Sequence, residues 1–172
     1  LQAQLKGKAD IVATIICGDN YFATNAERSC QRIIEEVKKA GANVLVHYSK
    51  SKEDADIVVG LVKGLGRSSH SIQADFTKRD SIAQLVEAAE SHWGHVDVLV
   101  NNAGLVEHAI DVRTEGGGFE KHMDRWDDVV NVNLRAPYEL TWRLGKGMLE
   151  RQSGSIVNVA SGRETTINAL IH

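Results

Sequence analysis

Short, β-branched apolar runs alternate along this 172-residue chain with segments in which apolar residues recur at helical spacing. The runs predict five strands, at residues 11–17, 43–48, 71–76, 96–100 and 155–160. The segments between them predict four helices, at residues 27–40, 53–65, 79–92 and 123–149. Nearly all-apolar runs are typical of strands buried on both faces, and helices between such strands imply right-handed crossovers. We therefore predict an α/β fold with a doubly wound parallel sheet.

Individual residues refine these boundaries. In the helix at residues 53–65, four apolar residues are expected on one buried side: Ile57, Val58, Leu61 and Val62. Thr77, with an acid three residues later, resembles a helix N-cap, and Gly94 is placed where that helix would end. The polar, glycine-rich stretch at residues 107–121 predicts an exposed loop.

Composition narrows the classes of protein that fit. Hydrophobic residues make up 42% and charged residues 25%, and the net charge of -3 argues against binding nucleic acid through bulk electrostatics. Two cysteines, Cys17 and Cys30, are too few for a disulfide scaffold and predict reduced thiols. Neither a membrane-spanning apolar run nor a secretory signal is found. We expect one domain over residues 1–172, in the cytoplasm, without nucleic-acid or membrane partners.

Ligands of doubly wound sheets bind at the carboxyl ends of the strands, so the loops there carry the candidate chemistry. The loop after the first strand contains a single glycine, Gly18. It therefore lacks both the G-x-G-x-x-G dinucleotide motif and the G-x-x-x-x-G-K-[ST] phosphate loop. A plain surface loop is an equally good interpretation of this segment.

Ser49 and Lys50 follow the second strand, where a site that selects NAD usually has an acid for the ribose. A hydroxyl and an ammonium group suit the 2′-phosphate of NADP instead, although a solvated loop would explain them equally well. After the fourth strand, the side chains of Asn101 and Asn102 can hold neighbouring strand ends together. The next two residues, Ala and Gly, leave room for a sugar or ring; a simple Asn-rich turn is the alternative.

The segment Asp97-Val-Leu-Val-Asn-Asn-Ala-Gly104 resembles the Asn-Asn-Ala-Gly signature of the short-chain dehydrogenase/reductase family. Further segments resemble the same family in the right order along nearly the whole chain. They are Leu5-Lys-Gly-Lys8, Ala40-Gly-Ala-Asn-Val-Leu-Val46, Ala74-Asp-Phe-Thr77, Val130-Asn-Val-Asn-Leu134 and Gly154-Ser-Ile-Val-Asn-Val-Ala-Ser161. The resemblance implies a Rossmann-like sheet and an oxidoreductase that transfers a hydride between NAD(P)(H) and a carbonyl or alcohol.

The resemblance also assigns roles to residues of this chain. Asn133 would anchor a proton-relay water, and Ser161 would hydrogen-bond the reacting substrate oxygen, where charge develops. The coenzyme is expected to be NADP, with NAD less favoured. The residues that would contact it are Gly18, Ser49, Lys50, Asp75, Phe76, Asn102, Ala103 and Gly104. Asp75 would contact the adenine amino group. Members of the family usually pair through helices that correspond here to residues 79–92 and 123–149, which implies a homodimer or homotetramer.

Two departures from the family pattern bear on activity. The usual Thr-Gly-x-x-x-Gly-x-Gly is missing, so bulky side chains are expected to hinder the close approach of a pyrophosphate. No Tyr-x-x-x-Lys follows Ser161, and that tyrosine is the family's proton donor. We therefore expect the sheet to be incomplete at the C-terminus, as in the first two thirds of a longer reductase, and little turnover from this chain alone.

The sequence allows three other interpretations. A non-catalytic binding or dimerisation module of the same family is the main alternative. An unrelated flavodoxin-like or receiver domain fits poorly, because a receiver needs an acid pocket after the first strand. His92 and His95 are three residues apart, but no third ligand lies at a helpful spacing, so no metal site is predicted.

Overall fold

The structure is a computed structural model that describes residues 15–16, 35, 39–105 and 118–159. Its strands are β1 (Ile15–Ile16), β2 (Val44–Tyr48), β3 (Ser69–Gln73), β4 (Val98–Asn101) and β5 (Ser155–Asn158). Its helices are α1 (Lys52–Gly64), α2 (Arg79–Trp93), α3 (Gly118–Val130) and α4 (Ala136–Glu150). A π-helical turn, Asn131–Arg135, joins α3 to α4.

The strand pairs among the described residues are all parallel, which confirms the prediction. One sheet has the order β1-β2-β3, and β4 pairs with β5. Alternate residues of each strand face opposite sides, so Val46 and Val100 share a core with α1, whereas Leu45 and Leu99 share a second core with α2 and α4. Because the same two cores contain residues of both sheets, the strands form one layer between helices. This is the α/β layering that the apolar runs predicted.

The helix α1 corrects the predicted buried side. Ala55, Val58 and Val62 are buried, whereas Ile57 and Leu61 are 62% and 48% exposed. Steps of three and four residues put Ala55, Val58 and Val62 on one stripe, and Ile57 and Leu61 lie about one residue's rotation away from it. The small side chain of Ala55 is therefore in the core, in place of the larger Ile57 and Leu61 that were predicted there.

The third strand begins two residues before its predicted start. Its register against β2 pairs Val44 with Ser69 and Tyr48 with Gln73. Ser69 is buried, and its hydroxyl donates to the Val44 carbonyl over 2.8 Å. The hydroxyl hydrogen bond lets a polar residue occupy a buried strand position, which an apolar-run criterion cannot detect.

The ends of α2 test two predictions. The predicted cap at Thr77 is wrong, because its hydroxyl donates to Asp75 Oδ1 over 2.7 Å and the helix begins after Lys78. The predicted end is confirmed: Gly94 has φ +76° and its N–H donates to the Glu90 carbonyl over 2.7 Å. Further along, residues 118–121, predicted as loop, are helical. None of the helices in the described ranges is long and apolar enough to cross a membrane.

Candidate cofactor site at the carboxyl ends of the strands

A side-chain bridge joins the carboxyl ends of β4 and β5. Asn101 Nδ2 donates to Asn158 Oδ1 over 2.8 Å, and the Val159 N–H donates to the Asn101 carbonyl over 2.9 Å. The prediction that Asn101 ties neighbouring strand ends together is confirmed. Its partner, Asn158, was not predicted, although each asparagine ends its strand and the two are paired in register. Asn102, the next residue, is half-buried.

Asn133 lies against the loop that follows the Asn-Asn-Ala-Gly segment. The Leu105 N–H donates to Asn133 Oδ1 over 2.7 Å, and Asn133 Nδ2 donates back to the Leu105 carbonyl over 2.9 Å. A Cβ added to Gly104 would stand 3.9 Å from Asn133 Oδ1. Two predicted site residues, 29 positions apart in the sequence, are therefore in direct proximity.

The π-helical turn explains how Asn133 reaches that loop. The Ala136 N–H donates to the carbonyl of Asn131, five residues earlier, where an α-helix would use a four-residue step. The wider turn rotates the residues before α4 relative to those within it. Such turns recur at functional sites in helices, and this one carries the predicted active-site asparagine.

Asp75 directly follows β3 and Ala74, with its carboxylate fixed by a local turn. Oδ1 accepts hydrogen bonds from the Thr77 hydroxyl over 2.7 Å and from the Thr77 N–H over 3.1 Å, and Lys78 Nζ lies 3.5 Å from Oδ2. The Thr77 hydroxyl bond chiefly lowers the pKa of Asp75 below its ordinary value of 3.8, against a smaller opposing effect of desolvation. The group is therefore an ionised acceptor at neutral pH.

Ser49 and Lys50 lie at the same edge, one strand over from Asp75. The Ala74 N–H donates to the Tyr48 carbonyl over 3.0 Å, and Gln73 Nε2 donates to the Ser49 carbonyl over 2.9 Å. These bonds hold the ends of β2 and β3 side by side. The Ser49 residue is half-buried, and Lys50 is exposed. The pair is placed where a phosphate could approach from solvent.

Phe76 differs from the other predicted contacts, because its side chain lies in the core. It is 4% exposed and its ring is stacked on His47, with centroids 4.2 Å apart. Its carbonyl accepts a hydrogen bond from Arg135 Nη2 over 3.3 Å. Any contact of Phe76 with a coenzyme would therefore involve its main chain.

Several predictions fall outside the described residues: those for Gly18, Ser161, Cys17 and Cys30. Within the described residues, no three His, Cys, Asp or Glu side chains converge as a metal site requires. The two histidines considered for metal are engaged elsewhere. His92 stacks on His70 with centroids 4.0 Å apart, and His95 Nε2 lies 3.3 Å from Asp97.

Comparison with known proteins identifies the family to which the chain belongs. The family model described as short chain dehydrogenase matches residues 30–170. The chain belongs to the short-chain dehydrogenase family. The 3-oxoacyl-[acyl-carrier-protein] reductase FabG of Staphylococcus epidermidis is 34% identical over 141 residues, which are 81% of this chain and 55% of the relative. The 2-dehydro-3-deoxy-D-gluconate 5-dehydrogenase of Pseudoalteromonas atlantica is 36% identical over 72% of this chain and 46% of its own length.

Solved structures of two oxidoreductases share the fold. A metagenomic short-chain oxidoreductase in complex with NADP superposes with a TM-score of 0.69 at 25% identity, over 88% of this chain and 61% of its own. Acetoin dehydrogenase from Enterobacter cloacae gives 0.71 at 21% identity, over 93% and 58%. The α/β Rossmann-type architecture is thereby established. This short-chain dehydrogenase sequence spans about half the length of the curated relatives it matches.

The family match begins only at residue 30, after the glycine-poor loop. A second family model, glycine/sarcosine/betaine reductase selenoprotein B, matches residues 1–48. That match covers less than a third of the chain and includes Gly18. The departure from the usual phosphate-loop glycines therefore coincides with the segment that the short-chain dehydrogenase model does not match.

Proposed function

We propose that this chain binds the adenosine half of NADP(H) at the carboxyl ends of β2, β3 and β4, as part of an oxidoreductase that acts on a carbonyl or alcohol. The observation that carries the proposal is the pair of hydrogen bonds between the Asn133 side chain and the Leu105 main chain, which we call the clasp. It joins the Asn-Asn-Ala-Gly segment to the π-helical turn at the edge where doubly wound sheets bind nucleotides. Residues 1–172 would form one dinucleotide-binding unit, in a cytoplasmic protein.

The described residues fit the adenosine half of the coenzyme. Asp75 offers an ionised carboxylate whose Oδ2 can accept a hydrogen bond from an amino group such as that of adenine. The Ser49 hydroxyl and the Lys50 ammonium group suit a 2′-phosphate, because a hydroxyl and a cation make charge-assisted bonds to phosphate oxygens. The half-buried Ala103 and the exposed Gly104 present little side chain to a ribose.

The chemistry would divide between coenzyme and protein. NADPH supplies the hydride when it is bound. Asn133, held in place by Leu105, would fix the position of a water, and Ser161 would donate a hydrogen bond to the substrate oxygen.

A fluorescence titration of NADPH against the full chain tests the proposal. We expect enhancement of coenzyme fluorescence with micromolar affinity, and weaker enhancement with NADH. The Lys50→Gln variant should bind NADPH about tenfold more weakly and NADH unchanged, because it removes one charge-assisted contact to the 2′-phosphate. Lys63→Gln, an exposed lysine in the last turn of α1, is the matched control. A flat trace with the wild-type chain would contradict the proposal.

One observation favours a second function, that of a non-catalytic dimerisation module. Tyr138, Trp142 and Leu149 on α4 are 68%, 73% and 80% exposed, and they are spaced to share one face of the helix. We propose that a second copy of the chain covers this aromatic face, giving a homodimer or homotetramer. Large aromatic side chains are enriched where proteins associate.

A further inference from the structure

His47 is the most buried titratable residue near the candidate site, and it contacts both neighbours of Asp75 in the sequence. It is 2% exposed, near the carboxyl end of β2. Its Nε2 lies 2.7 Å from the Ala74 carbonyl, and its ring is stacked on Phe76 with planes 8° apart. The residue before Asp75 is held by a hydrogen bond and the residue after it by ring packing.

We propose that His47 is a positioning residue for Asp75, and that a proton added to its imidazole loosens the segment Ala74–Thr77 and lowers the affinity for coenzyme. The inference rests on the proposed function, because Asp75 is the adenine contact in it. Asp75 lies between Ala74 and Phe76, so contacts with His47 hold its main chain on both sides.

The protonation state of the His47 imidazole follows from the hydrogen-bond partners of its two nitrogens. A carbonyl only accepts, so Nε2 carries the hydrogen and Nδ1 is the bare nitrogen of a neutral imidazole. Nδ1 has no hydrogen-bond partner among the described residues. A proton placed there would create a buried N–H and a buried charge together, and both are costly without a partner.

The surroundings of the ring offer little compensation for that charge. Its register partner on β3, Ile72, is apolar. The charged groups at the adjoining segment are Asp75, whose Oδ1 is already bonded to Thr77, Lys78, whose Nζ lies 3.5 Å from Asp75 Oδ2, and Arg135, whose guanidinium donates to the Phe76 carbonyl. The cation of Arg135 opposes a second positive charge on the same segment.

The pH range of the effect follows from the direction of the shift. Desolvation lowers the pKa of His47 below its ordinary value of 6.5, and the hydrogen bond to Ala74 opposes this only in part. The unfolded chain thus binds the proton more readily than the folded one just below pH 6.5. Stability and site geometry are therefore retained above 6.5 and lost as the pH falls through the lower folded value.

NADPH titrations between pH 8 and pH 5.5 test the proposal with three proteins: wild type, His47→Gln and His70→Gln. Gln can still donate to Ala74 but cannot titrate. His70 is the matched control, because burial also lowers its pKa and it is also stacked, on His92, but it lies near the amino end of β3. The 2′-phosphate titrates in all three, so differences between them report the histidines.

We expect the wild type and His70→Gln to lose affinity together on acidification, about threefold to tenfold more than His47→Gln does. Equal loss in all three proteins would overturn the proposal. A second measurement needs no variant. In ¹H–¹⁵N spectra of the free wild-type chain, the amides of Asp75 and Thr77 should shift with the titration of the His47 ring. Amides that stay unmoved while the ring titrates would also overturn it.

The two measurements separate this inference from the proposed function. Absence of NADPH binding by the wild type at every pH contradicts the proposed function. The amide titration then decides alone whether His47 positions Asp75. Binding with identical pH profiles supports the proposed function and rejects the inference.

Discussion

At the scale of single residues, polar side chains at the ends of the strands are hydrogen-bonded to other groups of the protein. Asn101 bonds to Asn158, Asn133 to the main chain of Leu105, and Asp75 to Thr77. Each of these bonds fixes a side chain or a loop before any ligand arrives. Such preorganisation lowers the entropic cost of binding.

The Asn133→Ala substitution tests the clasp on the loop. It removes both side-chain bonds to Leu105 and should lower the free energy of unfolding by about 1 kcal/mol, because the bonds are partly exposed to solvent. Urea denaturation measures that loss, and hydrogen exchange at the Leu105 amide should accelerate. Gln84→Ala, at an exposed position of α2, should change stability by less than about 0.5 kcal/mol. Unchanged exchange at Leu105 would show that the clasp does not hold the loop.

Asp75 makes stability depend on acid. Its pKa is lowered in the folded state, chiefly by the Thr77 hydroxyl. The contribution is therefore complete above the ordinary value of 3.8 and is lost as the pH falls through the folded value. The difference in unfolding free energy between the wild type and Asp75→Asn should shrink as the pH falls from 5 to 3. A difference that stays constant over this range would show that the carboxylate does not contribute in this way.

At the scale of elements, the apolar period predicted regular helices but not irregular turns within them or their exact ends. Residues 123–149 were predicted as one helix, and the structure contains a π-helical turn within that range. One extra residue in a turn leaves no mark on an apolar pattern, yet the turn that holds it contains Asn133. The predicted start of α2 was wrong for a similar reason. Thr77 and Asp80 match a capping box locally, but the Thr77 hydroxyl donates a hydrogen bond to Asp75 instead.

The glycines of α1 and α2 allow opposite predictions from the same substitution. Gly94 ends α2 at φ +76°, so Gly94→Ala should lower the free energy of unfolding by about 1 kcal/mol. Gly60 is exposed within α1 and a Cβ there meets nothing within 4 Å, so Gly60→Ala should raise it by about 0.5–1 kcal/mol. Thermal or urea denaturation measures both. Two changes of the same sign would contradict the assigned backbone conformations.

At the scale of the whole molecule, the parallel sheet was predictable and its exposed surface was not. Apolar runs such as Val98–Val100 announce burial on both faces, and the structure confirms it. The exposure of Trp142 could not be predicted, because an amphipathic pattern does not tell a core-facing aromatic from one on a surface that binds another chain. The glycine-poor loop near Gly18 lies outside the described residues, so its fit to a pyrophosphate stays a prediction.

The aromatic face of α4 predicts self-association. Sedimentation at micromolar concentration should show dimers or tetramers of the wild-type chain, and Trp142→Lys should shift it to monomer, because a charge replaces 73%-exposed aromatic surface. Leu61→Lys, at an exposed apolar position on α1 across the sheet, is the control and should leave the assembly intact. A wild-type chain that is monomeric throughout would reject the dimerisation proposal.

The proposed binding of NADP(H) along the carboxyl ends of the strands is tested most directly by mapping amide shifts in ¹H–¹⁵N spectra while NADPH is added to the full chain. We expect the largest shifts at Ser49, Lys50, Asp75 and residues 102–104, with little change at His70 and His92 near the opposite ends of the strands. Shifts centred on those two histidines, or no saturable shifts at all, would contradict it.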